Sequence, residues 1–175
     1  LGTDLELAKR IAEAAAQGET CEVANDNDPS QVVISGHKGA IERAIEMAKD
    51  MGAKRAVLLP VSAPFHCRLM KPAADAMAEA LGETRIDAPV VPLYANVTAA
   101  PVRDHDTIRE QLVEQVTGLV RWRESITNMA EAGVVEFIEL GGKVLGPMVK
   151  RIAPEAKVTS VVTIADVEAL AKEIA

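Results

Sequence analysis

The sequence predicts an α/β fold, in which a small ferredoxin-like subdomain that lacks its first strand precedes a larger α/β region. Segments with apolar residues at helical spacing alternate along the chain with short aliphatic runs, which is the pattern of a parallel or mixed sheet covered by helices. The 175 residues suffice for one mid-sized domain. Since 49% of them are hydrophobic but only 2% aromatic, the core is expected to be aliphatic.

Residues 1–60 form the predicted small subdomain, with the order helix, strand, strand, helix, strand. Apolar residues at helical spacing and capping residues identify the helices, whereas short apolar runs that end at turn residues identify the strands. The Asn, Asp, Pro and Ser residues at 25–30 are predicted to form the turn between the first two strands. This order matches a split β-α-β module without its first strand. The predicted elements are helices Asp4–Ala16 and Lys38–Met51 and strands Cys21–Ala24, Gln31–Ser35 and Arg55–Leu59.

Residues 61–175 form the predicted larger region, which starts with an irregular loop up to Arg68. Pro72 suits the first turn of the helix that follows, and Pro92 favours the start or the edge of a strand. Strands that alternate with helices again indicate a parallel or mixed sheet. The predicted elements are helices Lys71–Leu81, Asp106–Val116, Arg121–Ala132, Val144–Ile152 and Val167–Ile174, and strands Val90–Val97, Val134–Leu140 and Val158–Val162.

Composition and charge exclude several classes of protein. Lysine and arginine number 19 against 26 aspartate and glutamate residues, and the formal charge of −7 opposes binding to nucleic acid or to an anionic membrane. No apolar run approaches the roughly 18–20 residues that span a bilayer. Two cysteines without a metal-binding spacing, Cys21 and Cys67, predict a reducing cytoplasmic location and no metal site. Because the chain starts at Leu1 without methionine, we expect it to be a piece of a longer protein.

Three histidines are candidates for chemistry. His66 lies in the loop between a predicted strand and a predicted helix, where α/β folds commonly place a general base. No acid or nucleophile can be identified beside it, so a histidine packed within the loop is the alternative. His37 is expected to be a polar helix cap, and His105 part of a solvated helix start. Cys67 adjoins His66, but neighbouring residues project in different directions, which disfavours a cysteine–histidine dyad.

Two further motifs lack the spacing of a ligand site. Gly141-Gly142-Lys143 resembles the end of a phosphate-binding loop, but the first glycine of that motif is replaced by Phe137, so a tight turn is favoured. The alternating Asn and Asp residues at 25–28 lack the glycine and the distal acid of a calcium loop.

Residues 59–73, which contain Pro64-Phe65-His66-Cys67, resemble the histidine segment of the malonyl-CoA:acyl carrier protein transacylases of bacterial fatty-acid synthesis. Residues 25–37 resemble the strand pair of this family, residues 112–122 its Leu-Val-x-Gln…Trp helix region, and residues 139–145 its glycine-lysine turn. The resemblance covers nearly the whole chain. Asp26 and Asp28 depart from it, because the family commonly has apolar or small residues there, so we expect a more acidic edge of the small subdomain.

The resemblance implies roles for four residues. His66 is the implied general base of acyl transfer, and the backbone carbonyl of Gln115 is implied to orient its ring. Phe65 and Asn27 are the implied substrate-binding residues. Residues 61–175 then correspond to the C-terminal part of an α/β-hydrolase-like acyltransferase domain.

The family transfers malonyl from coenzyme A to the phosphopantetheine thiol of acyl carrier protein through a seryl-enzyme intermediate. Its Gly-His-Ser-x-Gly nucleophile segment and its malonyl-binding arginine are not found in these 175 residues. The resemblance implies no cofactor or metal, acyl carrier protein and a coenzyme A thioester as partners, and a cytoplasmic monomer when full length. A hydrolase on the same scaffold and a non-catalytic ferredoxin-like binding module are the alternatives; release of free malonate without an acceptor distinguishes the hydrolase.

Overall fold

In a computed structural model that describes residues 1–174, the chain forms two compact units. The first is Leu1–Ser125 and the second begins at Ile126, within a helix. The predicted boundary after residue 60 lies inside the first unit and stays a prediction. The helices are α1 Leu5–Ala16, α2 Lys38–Ala48, α3 Lys71–Glu83, α4 His105–Glu114, α5 Trp122–Glu131, α6 Leu145–Ile152 and α7 Ile164–Ile174, and the strands are β1 Cys21–Asp28, β2 Gln31–Gly36, β3 Leu93–Ala95, β4 Ala100–Val102, β5 Glu136–Leu140 and β6 Lys157–Val161.

The N-terminal part of the first unit is an antiparallel hairpin, β1 with β2, covered by α1 and α2. Helix α1 begins after Asp4, whose carboxylate accepts a hydrogen bond from the Leu7 amide at 2.8 Å. The two helices and the hairpin bury a cluster of small and aliphatic residues, as the composition predicts: Ile11, Ala12, Ala15, Cys21, Ala40, Ala44, Ala48 and Ala53.

The turn predicted at residues 25–30 is wrong for most of its length. Strand β1 continues to Asp28, because its residues pair with β2 through two irregularities in register, and only Pro29 and Ser30 form the turn. The expected acidic edge is also wrong, since the Asp26 and Asp28 side chains are buried. Asp28 accepts hydrogen bonds from both the amide and the hydroxyl of Ser30, at 2.9 Å each.

The strand predicted at Arg55–Leu59 is wrong as well. None of the strands in the described part of the chain pairs with this segment, and an isolated extended segment has no ladder of hydrogen bonds to define it. Its apolar side chains are exposed, Leu58 to 67%. The structure therefore shows an α-β-β-α arrangement here, in which the third strand of a ferredoxin-like sheet is not formed.

The rest of the first unit contains α3, the short hairpin β3–β4, and α4. A single turn of 3₁₀ helix, Arg68–Met70, leads into α3. Of the strand predicted at Val90–Val97, only β3 is formed, because Val90 is 94% exposed and Pro92 has no amide to pair. The partner strand β4 was not predicted.

The second unit contains a β-α-β crossover. Strand β5 pairs with β6 in parallel, and α6 connects them, as the alternation of elements predicts. Glu139 on β5 accepts hydrogen bonds from the amides of Val144, Leu145 and Gly146, at 2.8, 2.9 and 2.9 Å, and so caps the start of α6. These bonds, led by that from Leu145, lower the pKa of the Glu139 carboxyl.

Candidate active site

His66 lies in an irregular loop that leads into the 3₁₀ turn before α3. Its backbone has a φ of 57°, in the left-handed region that residues with a side chain rarely adopt. Such a conformation costs on the order of 1–3 kcal/mol and persists only where the surroundings hold it. The strain marks His66 as a residue whose orientation the fold specifies.

The ring of His66 lies within hydrogen-bond distance of a backbone carbonyl. Its Nδ1 atom lies 3.2 Å from the oxygen of Gln115. Because a carbonyl can only accept, Nδ1 must carry the proton, and the neutral ring then has its lone pair on Nε2. An imidazole with a free Nε2 lone pair is the form that can accept a proton from a hydroxyl or a thiol.

The Gln115 carbonyl lies at the C-terminal end of α4. The Gln115 amide donates to the carbonyl of Gln111 at 3.0 Å, and the Gly118 amide donates to the carbonyl oxygens of Glu114 at 3.1 Å and Gln115 at 3.3 Å. At the other end of α4, the Asp104 carboxylate accepts from the Thr107 hydroxyl and amide, and these bonds lower the pKa of Asp104. Both ends of the helix are therefore fixed by hydrogen bonds.

The loop beyond His66 is tied to strand β1. The amide of Arg68 donates to a carboxylate oxygen of Glu22 at 2.9 Å, and the Arg68 guanidinium pairs with the other oxygen. Cys67, which lies between His66 and Arg68 in the chain, is fully buried, and its thiol donates to the carbonyl of Pro64 at 3.2 Å. The thiol packs inside the loop and forms no dyad with His66, in agreement with the sequence analysis.

The other predicted site residues differ in position. Phe65 directly precedes His66 and is 47% exposed. Asn27 lies on β1 at an irregularity in register and is half-buried; in residues 1–174 no hydrogen bond joins it to His66. The structure thus joins His66 to Gln115, with Phe65 next to His66 in the chain, and shows no hydrogen bond between Asn27 and His66.

The two remaining histidines lie elsewhere. His37 precedes α2, but its side chain makes no capping bond to that helix; instead its Nδ1 accepts from the Thr20 amide at 2.9 Å. His37 therefore occupies the cap position as expected, but the expected side-chain cap is wrong, because the ring bonds instead to the residue just before β1. His105 begins α4 with its ring exposed beside Asp106, as expected for a solvated helix start.

Within residues 1–174, no group of three or more His, Cys, Asp or Glu side chains is arranged to hold a metal ion. The same residues contain no helix with the length and apolar character that a bilayer crossing requires.

Comparison with known proteins assigns the chain to a family. The family model described as "Acyl transferase domain" matches residues 3–151. The chain belongs to this acyl transferase family. The match includes His66 and Gln115 with the elements that hold them, so the acyltransferase fold is shown by both sequence and structure.

Several acyl transferases that are similar to this chain are longer than it. This chain is 46% identical to the malonyl CoA-acyl carrier protein transacylase of Escherichia coli K12. The 153 aligned residues cover 87% of this chain and 50% of that protein. The crystal structure of the acyl-carrier-protein-S-malonyltransferase from Bartonella henselae is 47% identical, with a TM-score of 0.94 over 99% of this chain and 56% of that one. A malonyl-transacylase in complex with a type II PKS acyl-carrier protein has 38% identity and a TM-score of 0.94, over 99% and 56%. The chain therefore spans about half the length of these relatives.

Among the polar interactions that sequence reasoning missed, two join segments that are distant in the chain. The Asn96 side chain bonds to the backbone at both Leu119 and Arg121. The Arg123 guanidinium donates to both carboxylate oxygens of Asp26, at 2.7–3.0 Å. The signal for the second was present: an aspartate where the family commonly has an apolar residue requires a partner of opposite charge when it is buried.

Proposed function

We propose that the protein that carries this chain transfers a malonyl group from malonyl-CoA to the phosphopantetheine thiol of acyl carrier protein. The observation that supports the proposal is the pairing of His66 Nδ1 with the Gln115 carbonyl, which leaves Nε2 as the base. The names of the similar proteins supply the substrate class and the acceptor.

The proposed mechanism has two symmetrical steps. A serine Oγ attacks the thioester carbonyl of malonyl-CoA while His66 Nε2 takes the hydroxyl proton; coenzyme A then leaves as a thiol with that proton. In the second step Nε2 deprotonates the phosphopantetheine thiol, which attacks the malonyl-serine ester, and the proton returns to the serine. A carbonyl partner fixes the tautomer of His66 but stabilises the imidazolium less than a carboxylate does. The Gly-His-Ser-x-Gly segment does not occur in the 175 residues, so the serine is proposed to come from the remainder of the protein.

Phe65 and Asn27 are proposed to contact the substrate. Phe65 is exposed beside His66, where its ring can restrict the space around the α-carbon of the acyl group. Asn27 is proposed on its match to the family's Asn-x-Asn strand. The ferredoxin-like subdomain is likewise part of the proposal, in which the segment at residues 55–59 becomes a strand once a partner strand lies beside it.

The proposal includes the setting of the reaction. Acyl exchange between thiols needs a nucleophile, a base and an oxyanion pocket, so we propose that no cofactor takes part. Cys21 and Cys67 are free thiols, which a reducing cytoplasm preserves, and we propose that location and a monomeric full-length enzyme.

The test is an assay of the protein that carries this chain with malonyl-CoA and phosphopantetheinylated acyl carrier protein, with His66→Ala and the control His37→Ala. We expect malonyl-acyl carrier protein to accumulate with the parent protein and with His37→Ala, and to be lost with His66→Ala. Free malonate without malonyl-acyl carrier protein would instead show a hydrolase. Failure to consume malonyl-CoA would leave the binding module as the function.

A further inference from the structure

Asn96 follows strand β3, and its side chain bonds to the backbone of residues 119 and 121, which flank Val120. Its Nδ2 donates to the carbonyl of Leu119 at 2.9 Å, and its Oδ1 accepts from the amide of Arg121 at 2.8 Å. A side-chain amide that donates and accepts in this way replaces the hydrogen bonds that a neighbouring strand would make.

Val120, between the two bonded residues, pairs with β1. Its amide donates to the carbonyl of Ala24 and its carbonyl accepts from the amide of Asp26, both at 2.8 Å. Residues 119–121 are therefore held by β1 through backbone bonds and by the Asn96 side chain. The Arg121 guanidinium adds a bond to the Val97 carbonyl, whereas the Asn96 side chain bonds to the backbone of the segment itself. A substitution at Asn96 removes its two bonds without altering residues 119–121.

The held segment begins four residues after Gln115. Between them the chain folds tightly, because the Gly118 amide bonds back to the carbonyl oxygens of Glu114 and Gln115. A Cβ on Gly118 would lie 3.2 Å from the Glu114 oxygen, so this turn has little spare room. We therefore expect a displacement of Leu119 to move the Gln115 carbonyl as well.

The hydrogen bond between His66 and the Gln115 carbonyl tolerates only a small displacement of that carbonyl. The distance of 3.2 Å from His66 Nδ1 to the Gln115 oxygen is already at the long end of the hydrogen-bond range, so a shift of about 1 Å breaks it. Without it the neutral ring can place its proton on Nε2, and that nitrogen then has no lone pair for the substrate.

We propose that Asn96 is a positioning residue for His66: its two bonds to residues 119 and 121 hold the Gln115 carbonyl where it fixes the proton on Nδ1. The inference rests on the proposed function only in that His66 is the base. Asn96 itself does not touch the reacting atoms.

The experiment compares Asn96→Ala with Asp166→Ala in the protein that carries this chain. Asp166 is a matched control, since its carboxylate also accepts from two backbone amides, those of Val162 at 3.0 Å and Thr163 at 2.8 Å. We expect Asn96→Ala to lower kcat for malonyl transfer by roughly 10- to 100-fold, with KM for malonyl-CoA within about twofold. Asp166→Ala is expected to lower the melting temperature without changing kcat below it.

The second readout is the tautomer of His66 in long-range ¹H–¹⁵N spectra of the ring, assigned with a His66→Asn variant. Asn96→Ala should convert a single Nδ1–H tautomer into a mixture. An unchanged tautomer or an unchanged kcat in the folded variant overturns the proposal. An equal loss of kcat in Asp166→Ala overturns it as well.

If Asn96→Ala does not fold, Asn96→Asp is measured instead. It keeps the acceptor for Arg121 and loses the donor to Leu119, and it should show an intermediate mixture, whereas a parental tautomer would contradict the inference. A parent protein without transfer activity refutes the proposed function, while the tautomer still tests Asn96.

Discussion

His37 and His66 both lie in segments that lead into helices, and each ring has Nδ1 within hydrogen-bond distance of one backbone group. At His37 that group is an amide, from Thr20, so Nδ1 accepts and Nε2 carries the proton of the neutral ring. At His66 it is the Gln115 carbonyl, so Nδ1 carries the proton and Nε2 keeps the lone pair. The backbone partner therefore decides which histidine can serve as a base.

The backbones at and before the two histidines also differ. Gly36, before His37, is closed in by the hairpin: a Cβ there would lie 2.1 Å from the Thr20 oxygen. Phe65, before His66, has an exposed side chain, and the His66 backbone is held in the left-handed region. His37 is nevertheless exposed and His66 half-buried, so His66 is distinguished by its strained backbone and its carbonyl partner, not by greater accessibility.

The largest expected effect separates the two histidines directly. His66→Ala should reduce malonyl transfer by on the order of 10²–10⁴-fold, because it removes a positioned general base. His37→Ala should leave kcat within about twofold and lower stability by about 1 kcal/mol, since the Thr20 amide loses its acceptor. Steady-state assays and thermal melts of both variants check this; equal kinetic losses would break the comparison.

The next effect tests whether the backbone of Gln115, and not its side chain, orients His66. Gln115→Pro removes the amide that bonds to Gln111 at the end of α4 and should lower kcat by on the order of 10²-fold. Gln115→Ala keeps the backbone and should be nearly neutral. Strong and equal effects of both substitutions on kcat would assign the role to the side-chain amide.

A smaller effect is expected from the residue before His66. Phe65→Ser should raise the use of methylmalonyl-CoA relative to malonyl-CoA, because one methyl group in a packed pocket is worth about 1–3 kcal/mol. The measurement is the ratio of kcat/KM for the two thioesters. An unchanged ratio would show that Phe65 does not line the acyl pocket.

The smallest effect lies away from both histidines, in the second unit. The lowered pKa of Glu139 means that its cap on α6 stabilises the fold above the ordinary pKa of glutamate and is lost as pH falls through the lower, folded-state value. Glu139→Gln should therefore flatten the acid limb of the stability curve. Denaturant unfolding from pH 3 to pH 6 measures this, and a parental acid limb in the variant would contradict it.

The contact between His66 and the Gln115 carbonyl could be predicted from the resemblance, because each residue lies in a motif that is local in the chain, while the roles of both residues stay predictions. It failed at residues 55–59, where an apolar run without a paired strand stays irregular, and at Asp26, where the turn-forming residue type was outweighed by pairing with β2. Asn96 could not be found, because its two bonds reach backbone groups more than twenty residues away and leave no pattern in the sequence.

The most direct test of the account is the tautomer of each histidine in the protein that carries this chain. Long-range ¹H–¹⁵N spectra of the neutral rings, assigned with His37→Asn and His66→Asn variants, distinguish a proton on Nδ1 from one on Nε2. The account predicts Nδ1–H for His66 and Nε2–H for His37. A His66 ring with its proton on Nε2 would contradict the claim that the Gln115 carbonyl prepares this histidine to act as a base.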